Sequence, residues 1–219
     1  MLELGLAVAF FLATHLLAAV GPLRRALVGA LGERPYMIGF SVVSLGALFW
    51  LGAAYAAAPC IEVWPYAPEL RWLPLAAMPV ACLLLAAGMT SRNPFSLGAG
   101  GAGFDPAAPG VVRLTRHPAV WGLVIWSASH VPVNGDAAGL VLFGLLTALG
   151  LAGPVSLDAK RRASLGAEEW RAQLERVRET SRWTAVRQMG AGRVALGAVL
   201  YVALLVGHEA VIGISALPP

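Results

Sequence analysis

The sequence predicts an all-α membrane protein, a bundle of about six transmembrane helices with one amphipathic helix on the cytoplasmic side. Two observations indicate this class. Of the 219 residues, 58% are hydrophobic and only 13% are charged, roughly half the charged fraction of an ordinary soluble domain. The charges also crowd between Asp158 and Arg193, and long stretches elsewhere carry none. Membrane proteins gather their charges in loops in this way, so a soluble globular domain is excluded.

Six apolar runs have about the length that crosses a bilayer. Glu3 stands where a signal peptide would carry basic residues, so the first run is expected to be a retained span. A tight turn at Asn134-Gly135 predicts that the fourth and fifth spans are antiparallel neighbours. We expect one integral membrane domain over residues 1–219. The expected spans are Leu4–Val20, Tyr36–Ala58, Trp72–Met89, Pro118–Val133, Ala137–Leu157 and Val194–Ile214.

The basic residues predict the orientation of the chain. Fifteen of the sixteen lie in residues 21–35, 90–117 and 158–193, and only Arg71 lies in a loop on the opposite side. Because cytoplasmic loops carry the excess of Lys and Arg, we expect a multi-pass protein of the bacterial inner membrane with both termini periplasmic. This arrangement and contact with anionic lipid also explain the pI near 9.6. The lipid bilayer is therefore an expected partner, and nucleic acid is not.

Two of the loops have distinctive patterns. Residues Thr90–Thr115 are rich in Gly and Pro and cannot form one regular element. In the last basic loop, Leu165, Trp170, Leu174 and Val177 recur at near-helical spacing among charges. This pattern predicts an amphipathic helix on the membrane surface, with an ordinary solvated helix as the alternative.

Histidines are the candidates for chemistry inside the spans. His15, His130 and His208 fall within apolar runs, whereas no Lys, Arg, Asp or Glu lies deep in one. A charged transport path or a carboxylate proton relay is therefore not expected. Two facing imidazoles in a helix bundle can hold a haem iron; the alternative is that each one hydrogen-bonds a neighbouring helix. Depth along the spans slightly favours His130 with His208 over His130 with His15.

The junction Arg113–Pro118 is the most specific feature of the chain. Pro118 suits the first turn of a helix, and Arg116 and His117 precede it beside free backbone N–H groups. Such a site suits an anionic group, for example a carboxylate, a phosphate or a haem propionate. The alternative is a basic anchor that holds the fourth span at the lipid headgroups.

Several segments resemble the NnrU family, which includes bacterial proteins associated with denitrification and the zeta-carotene isomerases of plants and cyanobacteria. The likeness rests on RLTRHPAVWGLVIWSASHVPVNGD (residues 113–136), THLLAAVGPLRRALVGALGERPY (14–36), LDAKRRASLGAEEW (157–170) and LLVGHEAVIG (204–213). The resemblance implies a protein that binds haem b, with His15 and His130 as the metal-binding and catalytic residues. Depth along the spans keeps His208 as the rival ligand. Arg116 and His117 are the further cofactor-binding candidates. The activity implied is cis–trans isomerisation of a hydrophobic polyene, or a redox role in denitrification.

Two other classes of function stay open. Arg116, His117, Pro118 and Gly122 with the later LGAEEW segment are also similar to membrane methyltransferases that use S-adenosylmethionine. The chain departs from that pattern at Trp121 and at Asp158, which basic residues follow instead of a second acid. A non-enzymatic haem subunit or an assembly subunit of a respiratory complex is the third class. Glycines such as Gly139, Gly144 and Gly150 would also permit a homodimer.

Overall fold

The computed structural model describes residues 1–218, apart from the side chains of residues 17–19. Over this range the chain forms α-helices and no β-strand, which confirms the predicted all-α class. A 3-10 turn at Pro68–Arg71 leads into the fourth helix. The helices are α1 (Leu2–Ala19), α2 (Gly21–Leu31), α3 (Glu33–Ala56), α4 (Trp72–Thr90), α5 (Val111–Leu114), α6 (Pro118–His130), α7 (Ala137–Leu165), α8 (Ala167–Glu179), α9 (Arg182–Gln188) and α10 (Ala191–Ile212).

Among the described residues, four helices are long and apolar enough to cross a membrane: Glu33–Ala56, Pro68–Thr90, Ala137–Leu165 and Ala191–Ile212. A fifth follows if Leu2–Leu16 and Gly21–Leu31 form one span. Apolar side chains on these helices are widely exposed, as contact with lipid requires; Phe49 is 80% exposed and Val206 is 74% exposed. The multi-pass membrane class is therefore confirmed. The count of six is not confirmed, because α6 has 13 residues and is only about 20 Å long, against a hydrocarbon core of about 30 Å.

The segment expected as the first loop contains a helix, α2. Pro22 lies in its first turn, where the missing N–H of proline costs no hydrogen bond. Leu, Ala and Arg residues with high helix propensity then continue it. Just beyond its end, Glu33 accepts a hydrogen bond from Arg24 at 3.5 Å. Helix α2 was not predicted, because an 11-residue segment with two arginines is too short and too polar to resemble a membrane span.

The backbone contacts divide the chain into two compact units. The first unit comprises residues 1–64 and 136–142, and the second comprises residues 65–135 and 143–218. Helix α7 begins in the first unit and continues in the second. In the first unit, Glu62 and Asp136 form an isolated antiparallel bridge, and the N–H of Ala137 donates to the Ile61 carbonyl at 2.8 Å.

Helix α6 packs closely against α4 and α7 in the second unit. A Cβ built on Gly122 would lie 2.8 Å from the Ala81 carbonyl oxygen of α4, so glycine allows the two backbones to touch. On the α7 side, the Thr147 hydroxyl donates to the Ser127 hydroxyl at 2.9 Å, and Gly150 faces Val124. Higher residue numbers on one helix meet lower numbers on the other. The two helices are therefore antiparallel neighbours, as the Asn134-Gly135 turn predicted.

The amphipathic helix α8 forms as predicted, but its apolar face packs on protein and not on the membrane surface. Trp170 is 7% exposed and Val177 is 4% exposed. The ring of Phe95, from the irregular segment after α4, meets the Trp170 ring edge-on at a centroid distance of 5.1 Å. Phe95 belongs to an irregular segment, and the apolar face of α8 provides the surface against which it is buried. The buried residues of this cluster are Ala87, Phe95, Val111, Val112, Trp170, Val177 and Met189.

Candidate functional site

A carboxylate on α7 holds the junction at the start of α6. The guanidinium of Arg116 donates two hydrogen bonds to Asp158, from Nη2 to Oδ2 at 2.6 Å and from Nε to Oδ1 at 3.2 Å. The Nε2 atom of His117, the N-cap residue of α6, lies 2.9 Å from Oδ1 of the same carboxylate. Fork-shaped pairing of arginine with carboxylate is strong and geometrically specific, so Asp158 fixes the position of both side chains.

The other side of this network ties down the irregular segment after α4. Nδ1 of His117 lies 2.9 Å from the Ser96 hydroxyl, and Arg161 donates to the Ser96 carbonyl at 3.1 Å. Asn93 donates from Nδ2 to the Arg116 carbonyl at 2.8 Å. Both Asn93 and Ser96 are 1% exposed. The network therefore joins residues 93–96, the start of α6 and the C-terminal part of α7. Its buried members, Asn93, Ser96 and His117, are satisfied polar groups whose bonds are costly to break.

Burial determines the protonation of His117. Its side chain is 3% exposed, and this burial lowers the pKa of His117 below the ordinary 6.5, although the hydrogen bond to Asp158 acts in the opposite direction. The imidazole is thus neutral near pH 7. In that state Nε2–H donates to Asp158 and Nδ1 accepts from the Ser96 hydroxyl, so both ring nitrogens are used.

The junction was predicted to bind an anionic group, and in the structure Arg116 and His117 bind the chain's own Asp158. Sequence reasoning considered Asp158 only as a departure from the methyltransferase pattern, and it did not select Asn93, Ser96 or Arg161. A signal for Asp158 was present: it is the first charge after the 21 uncharged residues 137–157. An acid at the end of such a run needs a partner.

The histidines of the apolar helices have a different environment. His15 on α1 donates from Nδ1 to the Phe11 carbonyl at 2.8 Å, and its ring lies 4.2 Å from the Phe11 ring centroid. His130, the last residue of α6, donates from Nδ1 to the Trp126 carbonyl at 2.7 Å. Its ring stacks on Phe143 at 5.1 Å. In both helices the imidazole bonds the carbonyl four residues earlier.

These bonds fix which ring nitrogen is available. A carbonyl can only accept, so Nδ1 carries the proton and Nε2 keeps its lone pair. Among the described residues, no hydrogen bond reaches Nε2 of His15, His130 or His208. His208 follows the same rule, since its Nδ1 donates to the Ile214 carbonyl at 2.7 Å. Backbone-bonded Nδ1 with a bare Nε2 is the usual state of a metal-ligating histidine.

The three histidines are distributed over both units. His15 belongs to the first unit, whereas His130 and His208 belong to the second. Within residues 1–218, no cluster of three or more His, Cys, Asp or Glu side chains could hold a metal ion. A haem iron needs fewer ligands from the protein, because the porphyrin supplies four and one or two imidazoles complete the set.

The apolar helices and the buried network at their ends define a multi-pass α-helical membrane protein. A family model described as NnrU protein matches residues 3–216, nearly the whole chain. The chain therefore belongs to the NnrU family, as its motifs predicted. No curated protein and no solved structure matches it.

Proposed function

We propose that this protein binds haem b in the membrane through the Nε2 atoms of two helix-borne histidines, one of which is His130. The proposal rests on one observation, the hydrogen bond from Nδ1–H of His130 to the Trp126 carbonyl. This bond orients the ring and leaves Nε2 as a ready ligand. The aromatic groups of Trp126 and Phe143 beside it suit the apolar body of a porphyrin.

The second ligand is either His15 or His208. The resemblance to the isomerases favours His15, which repeats the arrangement of His130 down to the carbonyl four residues earlier. Membership of the same unit favours His208. Each has Nδ1 bound to a carbonyl, so either could offer Nε2 to the iron. His15→Ala and His208→Ala distinguish the two candidates.

The junction residues Arg116 and His117 serve a structural purpose in this proposal. The rise of α6 separates His117 from His130 by about 20 Å, so the two lie at opposite ends of the helix. Arg116 and His117 hold residues 93–96 and α7 in place and thereby fix the start of the helix that carries His130. This engagement also disfavours methyl transfer, since the Arg116 guanidinium and both ring nitrogens of His117 are occupied within the chain.

The activity proposed is cis–trans isomerisation of a hydrophobic polyene that enters from the bilayer. When bound, haem would supply one-electron or Lewis-acid assistance to rotation about a double bond. The protein's own contribution is to orient the imidazoles, to exclude water with aromatic and aliphatic side chains, and to present apolar surface to a lipid-soluble substrate. A redox role in denitrification and a non-enzymatic haem subunit share the same cofactor site. We place the arginine-rich loops in the cytoplasm and the protein in the bacterial inner membrane.

The test is the absorption spectrum of detergent-purified protein, recorded oxidised and then reduced. We expect a Soret band that shifts and sharpens on reduction. His130→Ala should remove the band while the protein still inserts into the membrane. His15→Ala and His208→Ala are then compared, and the true second ligand is the one whose loss changes the reduced spectrum.

His117→Asn is the comparison variant: because both ring nitrogens of His117 are bonded within the chain, the positions of the haem bands should stay unchanged, even where the loss of these bonds lowers stability. A colourless wild-type preparation from haem-sufficient cells would contradict the proposal, as would a His130→Ala variant with an unchanged spectrum. Isomerisation is measured separately, by chromatography of a cis-polyene incubated with the coloured protein.

A further inference from the structure

A charged cavity lies between the end of α7 and one face of α8, outside the network and away from the helix histidines. Its volume is about 310 Å³. Two apolar side chains and four charged ones surround it: Arg162, Trp170, Arg171, Leu174, Glu175 and Arg178. On α8, Arg171, Glu175 and Arg178 follow at four and three residues, so they lie on one helix face. The cavity therefore lies between one face of α8 and the C-terminal end of α7.

The charge of this cavity is not balanced. Three guanidinium groups face one carboxylate. Within the described part of the chain, Arg162, Arg171 and Arg178 have no hydrogen bond and no ion pair. Several other arginines of the second unit are engaged: Arg113 donates to the Thr180 carbonyl at 2.7 Å, and Arg116 pairs with Asp158 at 2.6 Å. Three unengaged guanidinium groups around one opening are suited to an anion with several oxygens, such as a phosphate.

The position along α7 relates this cavity to the membrane surface. Residues 137–157 are uncharged and, at 21 residues, suffice to cross the hydrocarbon core. Arg162 follows five residues later, about 7–8 Å farther along the helix axis, which is the depth of lipid headgroups. Trp170 and Leu174 give the cavity an apolar wall. A site with an apolar wall and cationic groups matches the boundary between a lipid's phosphate and its acyl chains.

We propose that this cavity binds the phosphate headgroup of an anionic phospholipid through Arg162, Arg171 and Arg178. Glu175 weakens the site by repulsion, so it limits affinity. A lipid bound here would contact both α7 and α8 and would hold α8 against the end of the membrane-spanning helix. This proposal does not depend on haem, and neither proposal's failure affects the other.

Binding is measured by native mass spectrometry of the detergent-purified full chain with dioctanoyl phosphatidylglycerol, and with dioctanoyl phosphatidylcholine as the zwitterionic comparison. We expect phosphatidylglycerol to bind more tightly than phosphatidylcholine. The triple variant Arg162→Gln, Arg171→Gln, Arg178→Gln should weaken phosphatidylglycerol binding by about tenfold or more. A charge-matched triple, Arg25→Gln, Arg176→Gln, Arg182→Gln, changes arginines that do not line the cavity and should bind like wild type.

Glu175→Gln gives an independent check, because it should strengthen binding and a misfolded protein would not. Equal losses in the two triple variants would overturn the proposal in favour of general charge attraction. Unchanged binding in the cavity triple would overturn it as well. Glycerol 3-phosphate separates the two sources of phosphate: if it binds as tightly as phosphatidylglycerol and with the same arginine dependence, the ligand is a soluble phosphate and the lipid assignment is wrong.

Discussion

Helix α3 of the first unit and helix α4 of the second use glycine in opposite ways. In the first unit, Gly39, Gly46 and Gly52 of α3 have no other described side chain or backbone within 4 Å of an added Cβ. In the second unit, a Cβ on Gly88 of α4 would lie 2.5 Å from the Ala119 nitrogen. Gly88 is thus a contact between backbones, whereas the three glycines of α3 leave surface open. Helix α4 needs its glycine in order to pack, and α3 does not need its own.

The ion pairs of the two units also differ, in how far they are buried. The ion pair of the first unit, Arg24 with Glu33, spans 3.5 Å between side chains that are 43% and 72% exposed. In the second unit, Asp158, 27% exposed, pairs with the 38% exposed Arg116 and also with His117, which is only 3% exposed. Exposed pairs contribute little, whereas satisfied buried networks are costly to interrupt. The second unit is therefore expected to tolerate substitution less than the first, and three substitutions test this difference.

The largest effect is expected for Gly88→Ala. The new methyl group would meet backbone atoms of Ala119, which cannot move aside as a flexible side chain could, and we expect a loss of about 3 kcal/mol in the free energy of unfolding. Gly46→Ala in α3 is the matched control and should leave stability unchanged or slightly raised, because alanine favours helix. Unfolding in a titration of mixed detergents measures both variants. Equal losses would remove the contrast between the units.

Asp158→Ala should have the next largest effect. It removes the acceptor of Arg116 and His117 and leaves a buried imidazole N–H unpaired, which costs about 2–3 kcal/mol. Asp158→Asn keeps one oxygen acceptor and should lose about half as much. Thermal unfolding of the purified variants provides the comparison. If the two variants were equally stable, the carboxylate would not be the centre of the network.

The smallest effect is a pH dependence that originates at His117. Its pKa is lowered in the folded protein by burial, so the unfolded chain, with an ordinary histidine pKa near 6.5, takes up a proton first as the pH falls. Stability contributed by the neutral ring is thus complete above pH 7 and decreases on acidification through 6.5 towards the lowered value. The fall in melting temperature between pH 8 and pH 5.5 should be smaller in His117→Asn than in wild type. An identical fall in wild type and variant would show that the pKa of His117 is the same in the folded and the unfolded protein, and would contradict this prediction.

The fold class, the amphipathic helix and the α6–α7 turn could be predicted because each depends on neighbouring residues. Apolar length, helical spacing and an Asn-Gly pair are local signals. Helix α2 was missed because it is short and basic, and the length of α6 was misjudged because apolar residues continue past His130.

Arg116 and His117 were identified from their position before Pro118. Their partners were not, since Ser96 lies 21 residues before His117 and Asp158 lies 41 residues after it. Pairing over such distances depends on tertiary contact and leaves no local pattern. The haem assignment of His15, His130 and His208 stays a prediction.

The order of synthesis gives the network around Asp158 a further consequence. Phe95 and His117 emerge from the ribosome before both Asp158 and Trp170, the residues that bond or cover them. At 5–20 residues per second, the 53 residues from His117 to Trp170 take roughly 3–10 s to make. During that interval the Phe95 ring and the His117 imidazole are without these partners. A nascent chain stopped before residue 158 would lack both partners, so the irregular segment after α4 and the start of α6 can complete their contacts only after α7 and α8 have been made.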